Sequence, residues 1–70
     1  MPKLYGARDV IKGLRRAGFE IVNQKGSHIK YRKYGDSVLT AVVPANKREI
    51  PIGTFRSILR QSKLIDIDFK

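Results

Sequence analysis

Apolar residues recur along this chain in changing rhythms, and each rhythm predicts an element. Between Gly6 and Ala17 they fall at Val10, Ile11, Leu14 and Ala17, a spacing of i, i+1, i+4 and i+7. That spacing gathers them on one stripe of a helix over residues 6–17 and leaves Arg8, Lys12, Arg15 and Arg16 on the other faces. Gly6 suits the N-cap, Asp9 lies near the positive end of the helix dipole, and Gly18 suits the left-handed residue that ends many helices. Gly13 interrupts the helix interior at a cost of about 1 kcal/mol relative to alanine. Either another group packs closely there or the cost is tolerated.

After Gly18 the rhythm becomes alternation. Phe19–Gln24 reads as a strand with Phe19 and Ile21 on one face and Glu20 on the other. Gln24-Lys25-Gly26-Ser27 is a polar connection suited to a hairpin turn. The next strand, His28–Tyr34, points Ile29 and Tyr31 one way and His28, Lys30 and Arg32 the other. Gly35-Asp36-Ser37 makes a second turn, and Val38–Val43 is a third strand. Its nearly unbroken apolar character fits a central position, or contact with helices on one side and a partner on the other.

A loop, Pro44–Glu49, leads through Ile50-Pro51 to a second helical rhythm over Gly53–Lys63, with Gly53 or Thr54 as cap. Phe55, Ile58, Leu59 and Ser62 form its inward face, while Arg56, Arg60 and Lys63 form a basic stripe opposite. Leu64–Phe69 alternates apolar and acidic residues and is compatible with a strand, a helical turn or a docking segment. The predicted order is α-β-β-β-α. This is an α+β fold in which two helices cover one face of a three-stranded antiparallel sheet, the order of double-stranded-RNA-binding domains.

Charge narrows the function. Fifteen Lys and Arg against six Asp and Glu give a formal net charge of +9 over 70 residues. The cations recur on several elements, which favours a polyanionic partner, nucleic acid before a membrane surface. Seventy residues are expected to form one domain, 1–70. One histidine and no cysteine leave little from which to build a transition-metal site, and no cofactor is expected. No apolar run approaches the ~20 residues of a membrane span. The opening Met1-Pro2-Lys3-Leu4-Tyr5 lacks the apolar core of a signal peptide, so the chain reads as soluble and cytoplasmic.

Within that basic surface His28 stands out. It is the side chain whose unperturbed titration lies near neutrality, directly after a Gly-Ser turn and with Lys25, Lys30 and Arg32 close in sequence. An imidazole among cations on an open strand face suits a phosphodiester. Lys25, Gly26, Ser27, Lys30 and Arg32 are the candidate RNA-binding residues around it, with Lys47 and Arg48 in the later loop.

Ala17-Gly18-Phe19, Gln24-Lys25-Gly26-Ser27-His28, Glu49-Ile50 and Gly53-Thr54-Phe55-Arg56-Ser57-Ile58-Leu59 together resemble the HicA toxins, the small ribonucleases of HicAB toxin–antitoxin systems. The resemblance runs from the first helix through the second. It implies a fold like that of double-stranded-RNA-binding domains, cleavage of mRNA without a need for translation, neutralisation by a HicB-type antitoxin, and His28 as the catalytic histidine. The chain departs from the family pattern in one place. Many members carry a second histidine in the loop between the third strand and the second helix, where this chain reads Pro44-Ala45-Asn46-Lys47. A two-histidine acid–base scheme is therefore closed to it.

The chemistry expected of such a protein is metal-independent: a base takes the proton of the substrate's 2′-hydroxyl, and the oxygen attacks the adjacent phosphorus. His28 serves as general acid or base, and Ser27, Tyr31, a lysine or water completes the proton transfer. Three other readings remain at this stage: a non-catalytic RNA-binding module of the same shape, a small DNA-binding or antitoxin-like protein, against which the lack of a clear helix-turn-helix pair counts, and an inactive, degenerate toxin.

Overall fold

The computed structural model describes residues 5–69, so the opening Met1–Leu4 segment lies outside the described residues. Helix α1 spans Ala7–Arg16, strands β1, β2 and β3 span Glu20–Lys25, His28–Lys33 and Leu39–Pro44, and helix α2 spans Ile52–Ser62. A 3-10 turn, Asp66–Phe69, follows. The strands form one antiparallel sheet in the order β1-β2-β3. The α-β-β-β-α order and the α+β class are as the sequence predicts.

One hydrophobic cluster joins Val10 and Leu14 of α1, Ile29 and Tyr31 of β2, Ala41 and Val43 of β3, Ile50, and Phe55 and Ile58 of α2. Both helices therefore lie on the same side of the sheet, and the opposite side is open. Gly6 is the N-cap of α1, where its N–H donates to the Asp9 carboxylate at 3.3 Å. Gly18 follows the helix at φ +100°, the left-handed conformation expected of it.

Three details differ from the periodicity. The central strand is β2, and β3 is an edge strand. It is nevertheless well covered, because α2 leans against it and Gln61 Oε1 accepts the outward N–H of Val42 at 3.3 Å. Helix α2 begins at Ile52 with Pro51 as N-cap, ahead of the predicted Gly53 or Thr54. Buried Ile50 and the fixed φ of Pro51 set the chain for helix early, and the Phe55 N–H already donates to the Pro51 carbonyl at 2.9 Å.

The third difference is in β1. Ile21 does not join the core with Phe19; it is 57% exposed, whereas Phe19 is 3% exposed. The register explains part of this. Glu20 pairs with Arg32 and Ile21 with Tyr31, but Asn23 pairs with Lys30, leaving Val22 as an extra residue in a bulge. Ile21 shares the inner face with Tyr31, but it lies on the edge strand beyond the cover of the helices.

The segment after α2 closes the fold. Lys63 at φ 59° ends the helix, and buried Ser62 donates to the Ile58 carbonyl at 2.7 Å while accepting from the Leu64 N–H at 3.3 Å. Phe69 then inserts beside Gly13, and its ring lies 5.4 Å from that of Phe55 and 6.4 Å from that of Tyr5. The close partner that Gly13 requires is thus the end of the same chain.

Tyr5 donates its hydroxyl to Asp66 Oδ1 at 3.0 Å. Burial, then the Asp66 hydrogen bond and the nearby charges of Asp66 and Asp9, hold its ionisation above the ordinary value. A pKa raised on folding gives stability that is complete below the unfolded value near 10 and is lost as pH rises through the folded value. Thermal melts between about pH 8 and 11 are therefore expected to fall more steeply for the wild type than for Tyr5→Phe. Parallel slopes would contradict this role for the Tyr5–Asp66 bond.

Candidate nucleic-acid interface

The open face of the sheet carries the histidine because β2 alternates without interruption. Ile29 and Tyr31 are buried, while His28 is exposed and Lys30 and Arg32 are half-buried on the other side. The hairpin that presents His28 is tighter than the sequence predicts. The strands run to Lys25 and from His28, so only Gly26 and Ser27 form the turn. Gly26 has φ +61°, as the first central position of a type II′ turn requires.

Pairing across the strands arranges the open face in rows. Lys25, His28 and Pro44 form the row beside the turn, Asn23, Lys30 and Val42 the next, and Glu20, Arg32 and Thr40 the third. The first two rows enclose a cleft of about 160 Å³ lined by Asn23, Lys25, His28, Lys30 and Val42. Among the described residues, the side chains of Lys25, His28 and Lys30 have no hydrogen-bond or ion-pair partner, so their donors are available to a ligand.

Arg32 is on the same face but outside this cleft. Its Nε donates to Thr40 Oγ1 at 3.1 Å, and Glu20 is its cross-strand neighbour. Gly26 and Ser27 shape the turn, and the Ser27 carbonyl accepts the Ala45 N–H at 2.6 Å, tying the turn to the start of the next loop.

Lys47 and Arg48 are not brought to the cleft. Their loop folds back on the start of α1, where the Lys47 carbonyl accepts the Ala7 N–H at 3.0 Å and the Ile50 N–H donates to the Tyr5 carbonyl at 2.7 Å. With Gly6, Ala7, Arg8 and Asp9 they border a separate recess. The basic residues anticipated as one RNA-binding group are thus two groups.

Tyr31 leaves the set of open-face proton carriers. It is 1% exposed on the inner face, and burial holds its hydroxyl above the ordinary value against the lowering influence of Arg15. Ser27 and the cleft lysines remain on the accessible side.

Two cleft residues, Asn23 and Val42, have no place among the candidates read from sequence. Strict alternation from Phe19 puts Asn23 on the same face as Ile21. The bulge at Val22 reverses the parity and turns Asn23 outward beside Lys30. Val42 was visible only as part of an apolar strand.

Among the described residues no helix is long and apolar enough to cross a membrane, and no group of three or more His, Cys, Asp or Glu side chains is placed to hold a metal ion. Compared with models of known families, residues 7–64 match the one described as the HicA toxin of bacterial toxin–antitoxin systems. No curated protein matches the chain.

Proposed function

Because this chain belongs to the HicA family of bacterial toxins, which act in pairs with antitoxins, we propose that it is a metal-independent endoribonuclease that cleaves mRNA and is neutralised by a HicB-type antitoxin. The observation that carries the reading is the cleft on the open face, where the one imidazole of the chain lies between Lys25 and Lys30, two lysines whose ammonium groups have no partner among the described residues.

In this reading the RNA backbone crosses the first row of the sheet. His28 takes the proton of the 2′-hydroxyl or gives one to the leaving 5′-oxygen. Lys25 and Lys30 oppose the charge that builds on the non-bridging oxygens as the 2′-oxygen attacks phosphorus. The P–O5′ bond breaks, leaving a 2′,3′-cyclic phosphate and a 5′-hydroxyl. Ser27, a cleft lysine or water carries the second proton. Arg32 and the Lys47–Arg48 loop bind the flanking strand, as phosphate contacts outside the reacting centre. The +9 charge steers both RNA and an acidic antitoxin surface toward the protein, with a strong dependence on salt.

The nucleophile is testable at one atom. In an RNA cut at a defined bond, replacing the nucleotide 5′ of that bond by its 2′-deoxy form is expected to abolish cleavage there and leave other sites unchanged. Products should carry 2′,3′-cyclic phosphate ends. Continued cutting at the deoxy position, with 3′-hydroxyl and 5′-phosphate ends, would show that water is the attacking group.

A further inference from the structure

The cleft beside His28 has a composition that a phosphate alone does not call for. Val42 contributes an apolar, half-buried wall between the lysine row and the edge of the sheet. Asn23 contributes a side-chain amide at the rim, and its orientation is settled by a hydrogen bond: Oδ1 accepts the Gln24 N–H at 2.8 Å. Oδ1 is thus turned to the backbone, and among the described residues Nδ2 has no partner. Toward a ligand, Asn23 offers the two N–H donors of Nδ2. Lys25 and Lys30 present only donors. The volume of about 160 Å³ gives room for one planar heterocycle.

We propose that this cleft receives one nucleobase of the RNA and selects a keto base, guanine or uracil, through donation from Asn23 Nδ2 and the flanking ammonium groups. The inference rests on the ribonuclease reading for its biological substrate. Its chemistry rests on the cleft. Single-stranded RNA is recognised by bases splayed from the strand and bonded along their edges. Guanine offers O6 and N7 as adjacent acceptors, whereas adenine places a donating amino group where guanine has O6, and cytosine carries a donating N4 amino group. Uracil offers carbonyl oxygens in place of that amino group. The Asn23 amide and the two ammonium groups therefore meet complementary groups on the keto bases and repelling ones on the amino bases. Val42 packs against the base face. Asn23 is thus a specificity-determining residue, placed in the cleft by the bulge at Val22.

Binding and cleavage test this separately. The first readout is NMR titration of the wild-type protein with each of the four nucleoside 5′-monophosphates, ribose 5-phosphate and inorganic phosphate, following the Asn23 side-chain amide. A guanine or uracil nucleotide is expected to shift that amide with an affinity about tenfold above the adenine and cytosine nucleotides, the weight of one good base contact. Ribose 5-phosphate and inorganic phosphate are expected to leave it unmoved. Equal binding by all six probes, with shifts confined to the lysines, would make the cleft a phosphate site and overturn the inference, as would an Asn23 amide that no probe moves.

The second readout is the map of cleavage sites on a mixed-sequence RNA. Asn23→Ala is expected to flatten the preference for a keto base. Asn23→Asp retains an acceptor for the Gln24 N–H but replaces the donor with an acceptor, and it is expected to move the preference toward cytosine and adenine. Cleavage whose base preference is the same in all three proteins would overturn the inference and leave the nuclease reading standing. Selective nucleotide binding by a protein that cuts no RNA would do the reverse.

Discussion

Phe69→Ala is expected to leave the protein largely unfolded. A chain of this length has roughly 3–10 kcal/mol of stability to lose, and removing a buried phenylalanine costs about 3–5 kcal/mol. Phe69 is 3% exposed, packs on Tyr5 and Phe55, and fills the notch that Gly13 leaves in α1. The same notch makes Gly13→Ala unfavourable, although alanine is the better helix former by about 1 kcal/mol. A methyl group there would lie 2.9 Å from Phe69 Cε1, closer still to Cδ1, and 3.0 Å from the Asp68 carbonyl oxygen. The ring cannot give way without leaving its aromatic neighbours, and overpacking of this kind costs about 1–3 kcal/mol.

A double-mutant cycle separates the two effects. With Phe69 replaced instead by leucine, a smaller change that keeps the protein folded, Gly13→Ala should cost less than it does in the wild type, which denaturant melts of the four proteins would read. If Gly13→Ala destabilises equally in both backgrounds, the tail does not press on α1. The family match ends at Leu64, so Phe69 lies beyond the matched span while Gly13 lies within it.

What the sequence discloses and what it hides divide along the range of the interaction responsible. The stripe of α1 and the alternation of β2 are local, and both read directly. Val10 and Leu14 turn inward, and His28 opens to solvent opposite Ile29. The end of α1 was legible for the same reason, since Gly18 must take a positive φ whatever packs around it. Gly13 signalled a close approach without naming its partner, because that partner arrives from the far end of the chain. The alternation of Leu64–Phe69 is compatible with a strand, among other forms, because nothing local shows that its one aromatic, Phe69, is drawn into the core.

The site divides in the same way. His28, Lys30 and Lys25 share a cleft because strand parity and a two-residue turn place them there. Asn23 was hidden by the bulge at Val22, since Ile21-Val22-Asn23 reads as uninterrupted strand and the slip is set by pairing with β2. Charge alone groups Lys47 and Arg48 with the histidine. The backbone bonds that turn their loop toward α1 involve Tyr5 and Ala7, which no pattern in the loop itself reveals.

The second large effect is at His28. Its side chain is exposed and forms no bond among the described residues, so its removal should alter stability by no more than about 0.5 kcal/mol. A positioned imidazole contributes ~10²–10⁴-fold to proton transfer, and the chain has no second histidine to take its place. His28→Ala is therefore expected to separate folding and RNA binding, both retained, from cleavage, which is lost by that factor. The measurement to make is cleavage of one defined single-stranded RNA, and of the all-DNA oligonucleotide of the same sequence, by wild-type protein and His28→Ala in EDTA. The expected result is that only the wild type cuts and only RNA is cut, while circular dichroism and a binding titration show the variant folded and bound. Equal cutting by the two proteins would contradict the role given to His28.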